Sequence, residues 1–197
     1  MPDATDEFLR SPVAFLHRYP FIAMAQSQLG LTVQSVQIRV SDQDDYADLY
    51  PTPQGQAGAI FYVLSWDLNF VSVGTLGTNA RLFFTGPLTG CMFAVDKNWY
   101  TPRVLHVNYQ GQHAGMDVNR MTTAVNNQMA QCTSKIKWYL YSDNTPNITV
   151  VQSHNRNQNE SYNIFGYRTG HGWTFWQQVC DLGMNPRVVA LNLDTWF

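Results

Sequence analysis

From residue 31 onward the chain is divided into short apolar runs of strand length, separated by glycine, proline and asparagine. That pattern restricts the fold more than any other feature, because strands cannot satisfy their backbone alone and must assemble into sheets. Leu31–Val40 carries Val36, Ile38 and Val40 at period two. Ala59–Trp66, Phe70–Val73, Ala80–Thr85, Cys91–Asp96 and Pro102–Tyr109 read as further strands. So do Lys135–Tyr141, Asn147–Gln152, Tyr162–Tyr167, Gly172–Val179 and Pro186–Leu193. Asp42–Gly58 reads as a long surface loop and Gly86–Gly90 as a turn. Helical spacing is clearest at Asp117–Cys132, where Val118, Met121, Val125 and Met129 form a core stripe behind an Asp117 N-cap. Near the N-terminus, Ser11-Pro12 opens a helix bearing Phe15 and Leu16. Phe21–Ala25 reads as a second short helix, with Gly30 as the stop. The expected fold is α/β: one domain over residues 1–197, with a mixed β-sandwich core flanked by helices.

Composition narrows the function. Hydrophobic residues make up 45% of the chain and charged residues only 13%, about half the usual share. The net charge of -2 lacks the basic excess of a nucleic-acid binder. Fifteen Asn and fifteen Gln supply the polar surface, which suits protein or sugar contact. The acidic start, Met1–Glu7, is no secretory signal, and no apolar run is long enough to span a membrane. Cys91, Cys132 and Cys180 are odd in number and widely spaced, which fits neither a disulfide framework nor a zinc site. Cys180 and Cys132 read as core packing. His17, His113, His154 and His171 form no metal pair, and no cofactor motif occurs, so neither metal nor cofactor is expected. The sequons at Asn147 and Asn159 read as accidental in a chain without a signal.

The segment that carries chemistry is Thr85-Gly86-Pro87-Leu88-Thr89-Gly90-Cys91, followed by His106. If Cys91–Asp96 and Pro102–Tyr109 form a hairpin with Asn98 and Trp99 at its tip, Cys91 faces His106. Opposed residues have Cβ atoms about 4.5–5.5 Å apart, within reach of a shared proton. An imidazolium beside a thiol lowers its pKa and makes a standing nucleophile. Gly90 leaves room beside the sulfur and lets backbone N–H groups turn toward an oxyanion. The group that orients the imidazole is open among Thr85, Asn108 and Asp96.

Leu88-Thr89-Gly90-Cys91 resembles the Leu-x-Gly-Cys motif of the toxin glutamine deamidases. That family is typified by the cytotoxic necrotizing factor catalytic domain and Burkholderia lethal factor 1. There the motif Cys is followed by a catalytic His, and here His106 lies 15 residues after Cys91. This interval is closer to the necrotizing factor's than to the lethal factor's. In the lethal factor a Thr ahead of the Cys completes the site, and Thr85, six residues before Cys91, holds that place. The resemblance covers Thr85–His106 and implies a bacterial toxin. It would deamidate a host-protein glutamine to glutamate through a Cys91 thioester, with Gly90 and Leu88 supporting the oxyanion turn. Tyr162, Tyr167 and Asn108 are candidate substrate-site residues. The DEAD-box helicase of translation initiation is the first expected target, with inhibition of translation as the outcome. Deamidation or transglutamination of Rho-family GTPases is second. The resemblance also implies a protein made in a bacterial cytoplasm and acting in the host cytosol; a monomer is expected, and the acidic start predicts that any release needs no cleaved signal peptide. Against these stand a different Cys–His acyl-transfer enzyme and a non-enzymatic protein- or sugar-binding β-sandwich.

Overall fold

The computed structural model describes residues 3–24, 30–41, 46–88, 91–96, 98–110, 117–130, 149–152, 160–181 and 187–191. Helices α1 (Thr5–Arg10) and α2 (Pro12–Arg18) precede strands β1 (Phe21–Met24), β2 (Leu31–Val40), β3 (Ala47–Pro51) and β4 (Ala59–Leu64). Then come β5 (Phe70–Thr75), β6 (Leu82–Leu88), β7 (Met92–Val95), β8 (Arg103–Asn108) and helix α3 (Val118–Met129). β9 (Thr149–Gln152), β10 (Glu160–Thr169), β11 (Gly172–Asp181) and β12 (Arg187–Leu191) follow. The strands form two sheets, β1-β3-β2-β4-β6-β10-β11-β12 and β5-β8-β7-β9. None of these helices is long and apolar enough to cross a membrane.

Side-chain alternation sorts the strands into layers. On β6, Leu82 and Phe84 join a cluster with Phe8, Phe15 and Leu16 of α1 and α2. Phe83 faces the other way, into a cluster with Phe93 and Val95 of β7 and Val104 of β8. Met92, Ala94, Leu105 and Val107 leave the far side of the small sheet and meet Met121, Val125 and Met129 of α3. The order of layers is therefore helices, large sheet, small sheet, helix. Helices of six and seven residues are not stable alone. Burial of Phe8, Phe15 and Leu16, at roughly 2–3 kcal/mol each, holds them in place.

The expected core stripe of α3 is present at Met121, Val125 and Met129, while Val118 is exposed. Asp117 caps the helix, its side chain accepting from the Arg120 N–H at 2.9 Å. Three expectations need correction. Phe21–Ala25 is not a helix: Phe21–Met24 is β1, paired parallel with β3. A short apolar run lacks the length that separates the two periods. The expected loop Asp42–Gly58 contains β3, whose Ala47 and Leu49 are core residues. The Gly86–Gly90 segment begins as strand, since β6 continues through Leu88. Leu88 pairs with Tyr162 and Thr85 with Ile164, so Gly86 and Pro87 together oppose Asn163 in a β-bulge. Gly86 adopts φ 152°, and a Cβ there would strike the Asn163 side chain. The turn signal marks a bulge because the strand resumes on its far side. Lys135–Tyr141, Cys132, His113 and His154 lie outside the described residues.

Asn163 and Gln178 are paired neighbours on β10 and β11, and both are buried on the helix-facing side. Gln178 donates from Nε2 to the carbonyls of Leu16 and Tyr19, each at 2.7 Å, and accepts from Phe21 N–H at 3.0 Å. Asn163 Nδ2 donates to the Phe21 carbonyl at 2.8 Å. These two amides thus supply partners for backbone groups at the end of α2 and the start of β1. Gln178→Leu would leave three buried backbone groups unpaired, each costing about 1–3 kcal/mol. The variant is expected to unfold at a clearly lower urea midpoint with an unchanged m-value, measured by equilibrium denaturation.

Candidate active site

β8 alternates strictly. Leu105 and Val107 face α3, whereas Val104 faces the large sheet. His106 follows Val104 in that orientation and meets Thr85 of β6 across the inter-sheet space. Thr85 Oγ1 lies 2.8 Å from the Leu64 carbonyl and 2.7 Å from His106 Nδ1. A carbonyl only accepts, so the single hydroxyl proton goes to Leu64. Thr85 Oγ1 then accepts from His106, which assigns the proton of the ring to Nδ1. The opposite nitrogen, Nε2, carries a lone pair, is buried and has no hydrogen-bond partner. The choice among orienting groups is thereby made: the Thr85 hydroxyl holds the ring. Asp96 instead accepts from the Asn98 and Arg103 N–H groups at the other end of the hairpin.

The hairpin register differs from expectation. Phe93 pairs with His106 and Met92 with Val107, two residues out of step with a direct Cys91–His106 pair. The last rung is Met92–Val107, so Cys91 and Asn108 are the next residues beyond the ladder. The slip arises because Asp96 pairs its N–H with the Arg103 carbonyl, so the connecting loop is longer than a two-residue tip. Cys91 still belongs to the inter-sheet cluster, on the face shared by Phe93 and Val95. It is 2% exposed, His106 is 1% exposed and Asn108 is 3% exposed.

Burial also changes the electrostatics. Desolvation pushes His106 down to about 3, so the ring is neutral near pH 7. The expected standing imidazolium is therefore absent at rest. A neutral ring with its lone pair on Nε2 is instead equipped to take a proton during attack, as a general base.

The remaining candidates separate. Leu88 ends β6 in the cluster that contains Cys91. Tyr162 is half-buried against the same cluster and pairs with Leu88. Tyr167 is displaced from the site: it packs on the opposite, helix-facing side of the sheet and lines an open cleft with Leu9, Ile60 and Arg81. Five positions separate it from Tyr162, an odd number, and odd spacing reverses the face of a strand. Gly90 lies outside the described residues. Asn108 ends β8 with its Oδ1 buried and unpartnered. Cys91 and Cys180 are both buried and neither is in a disulfide, and Cys180 neighbours Asn163 and Gln178 as part of the interior. His17 and His171 are exposed. Among the described residues, no three His, Cys, Asp or Glu side chains come together as metal ligands. Sequence reasoning missed the Leu64 carbonyl. It reaches Thr85 because β4 and β6 are parallel neighbours, a pairing that no local pattern announces.

Two outcomes are expected. Thr85→Val removes the acceptor of a buried N–H and lowers stability by about 1–3 kcal/mol, while Thr85→Ser retains most of it, as read by urea denaturation. For His106 the folded pKa lies below the unfolded value of about 6.5, so the unfolded chain takes up the proton first. This contribution to stability is complete above that value and is lost as pH falls toward the folded one. Between pH 6.5 and 4.5 the loss is roughly 2–3 kcal/mol, and His106→Gln should flatten that arm of the stability profile. Comparison of the chain with protein-family models and with curated proteins finds no match, so the functional reading rests on this geometry and on the motif.

Proposed function

We propose that the protein is a glutamine deamidase of the toxin class, using Cys91 as nucleophile, His106 as base and Thr85 as the group that positions His106. The observation that carries this reading is the bond from His106 Nδ1 to Thr85, which leaves the Nε2 lone pair open on the face that also holds Cys91. The Leu-x-Gly-Cys resemblance supports the same roles and a deamidase-toxin fold. His106 Nε2 takes the thiol proton as Cys91 attacks the side-chain carboxamide. The C–N bond then breaks, His106 returns that proton to the leaving nitrogen, and ammonia departs from a thioester. His106 next draws a proton from water, which attacks the thioester and releases glutamate with the thiol restored. The translation initiation helicase of a host cell is the first target of this reading, reached in the host cytosol after release from the producing bacterium. Rho-family GTPases are the second.

Mass spectrometry of a eukaryotic lysate treated with wild type or Cys91→Ser tests the proposal. A one-dalton gain at a specific glutamine, present with wild type and absent with the variant, is expected. Equal activity of Cys91→Ser, or no glutamine altered by either protein, overturns it. A second reading, a non-enzymatic binding β-sandwich, draws on the near-complete burial of Cys91 and His106 in an apolar layer. It expects slow, His106-independent alkylation of Cys91 by iodoacetamide. The deamidase reading expects selective alkylation that slows at least several-fold in His106→Ala.

A further inference from the structure

We propose that Asn108 selects a primary carboxamide as the reacting group; this rests on the deamidase reading above. Burying an unpaired polar atom costs about 1–3 kcal/mol, so such atoms in a folded interior call for an explanation. Two occur on one face of β8. His106 Nε2 and Asn108 Oδ1 are both buried and both lack a hydrogen-bond partner. Both are also acceptors. The Nε2 atom is one because Thr85 holds the proton on Nδ1. Residues two apart on a strand lie roughly 7 Å apart and point the same way. The β7–β8 ladder ends at the Met92–Val107 pair, and Cys91 and Asn108 are the next residues beyond it. The two acceptors therefore lie toward the end of β8 that the Cys91 end of β7 approaches.

A site with two unsatisfied acceptors is complementary to a group rich in N–H. A primary carboxamide has two N–H donors on the nitrogen that must leave. Asn108 Oδ1 would accept one of them and turn the nitrogen lone pair toward His106, which carries the thiol's proton after attack. As the C–N bond breaks, that proton passes to the nitrogen and the bond electrons leave with ammonia. An ester oxygen has no N–H to offer Asn108 and gains nothing from it. The carboxylate product brings only lone pairs, so the same two acceptors repel it and favour release.

Ammonia release from the proteins of a eukaryotic lysate and hydrolysis of p-nitrophenyl acetate separate the alternatives. Both reactions need the nucleophile and base, but only the first presents a carboxamide. Asn108→Leu is expected to lower ammonia release by roughly tenfold or more, the scale of one lost hydrogen bond, with ester hydrolysis within about twofold of wild type. Asn108→Asp retains an oxygen at the same point and should recover most of the lost amide activity. If Leu reduces both reactions equally, or reduces neither, Asn108 does not select the amide and the inference fails while the deamidase reading stands. If wild type and Cys91→Ser are alike in both assays, the reading and the inference fall together.

Discussion

Burial of β6 on both faces is the constraint on which the rest depends. Leu82 and Phe84 feed the aromatic cluster under α1 and α2, and Phe83 feeds the cluster between the sheets. The strand is tied to β4 on one side and β10 on the other. A central, doubly buried strand has no solvent-facing positions, so its polar side chains must find partners inside the protein. Thr85 is the polar side chain of β6 that meets this requirement. Its hydroxyl bridges the Leu64 carbonyl on its own sheet and His106 on the other. The site thus belongs to a small set of polar side chains, including the hydrogen-bonded Ser65 and Ser72, in a mostly apolar layer.

That placement determines the chemistry. In water a histidine beside a cysteine can charge and hold a thiolate. Between two sheets, desolvation keeps the ring neutral and the tautomer is set by one threonine hydroxyl. Under the proposed deamidase reading, the proton moves in concert with attack. A second polar group, Asn108, lies on the same face with its oxygen unpaired, and a third, Tyr162, borders the same cluster. The amide clamp of Asn163 and Gln178 works on the opposite face of the large sheet, where it pairs with the backbone of α2 and β1. Asn163 also faces the bulge at Gly86, two residues ahead of Leu88. The helix-side packing and the strand that leads to Cys91 therefore share one residue.

Much of this was legible in the chain. The alternation in Leu31–Val40, the Asp117 cap with its Met and Val stripe, and the strand-rich pattern all reappear in the fold, because each is a local preference confirmed by packing. Phe21–Met24, Ala47–Pro51 and the strand running through Gly86-Pro87 were not legible. A four-residue apolar run, a polar-looking strand and a Gly-Pro bulge take their conformation from partners far away in sequence. Likewise Tyr162 and Tyr167 are equivalent candidates by spacing to a motif, and only strand parity divides them.

By itself the sequence determined the strand-rich composition, the helix at Asp117 and a short list containing Cys91, His106, Thr85 and Asn108. These follow from residue type and near-neighbour spacing. Tertiary structure decided the hairpin register, the threonine rather than the carboxylate as partner of His106, and the neutral state of the ring. Each of those depends on which strands lie side by side and how much water they exclude, and both are settled by contacts between residues distant along the chain.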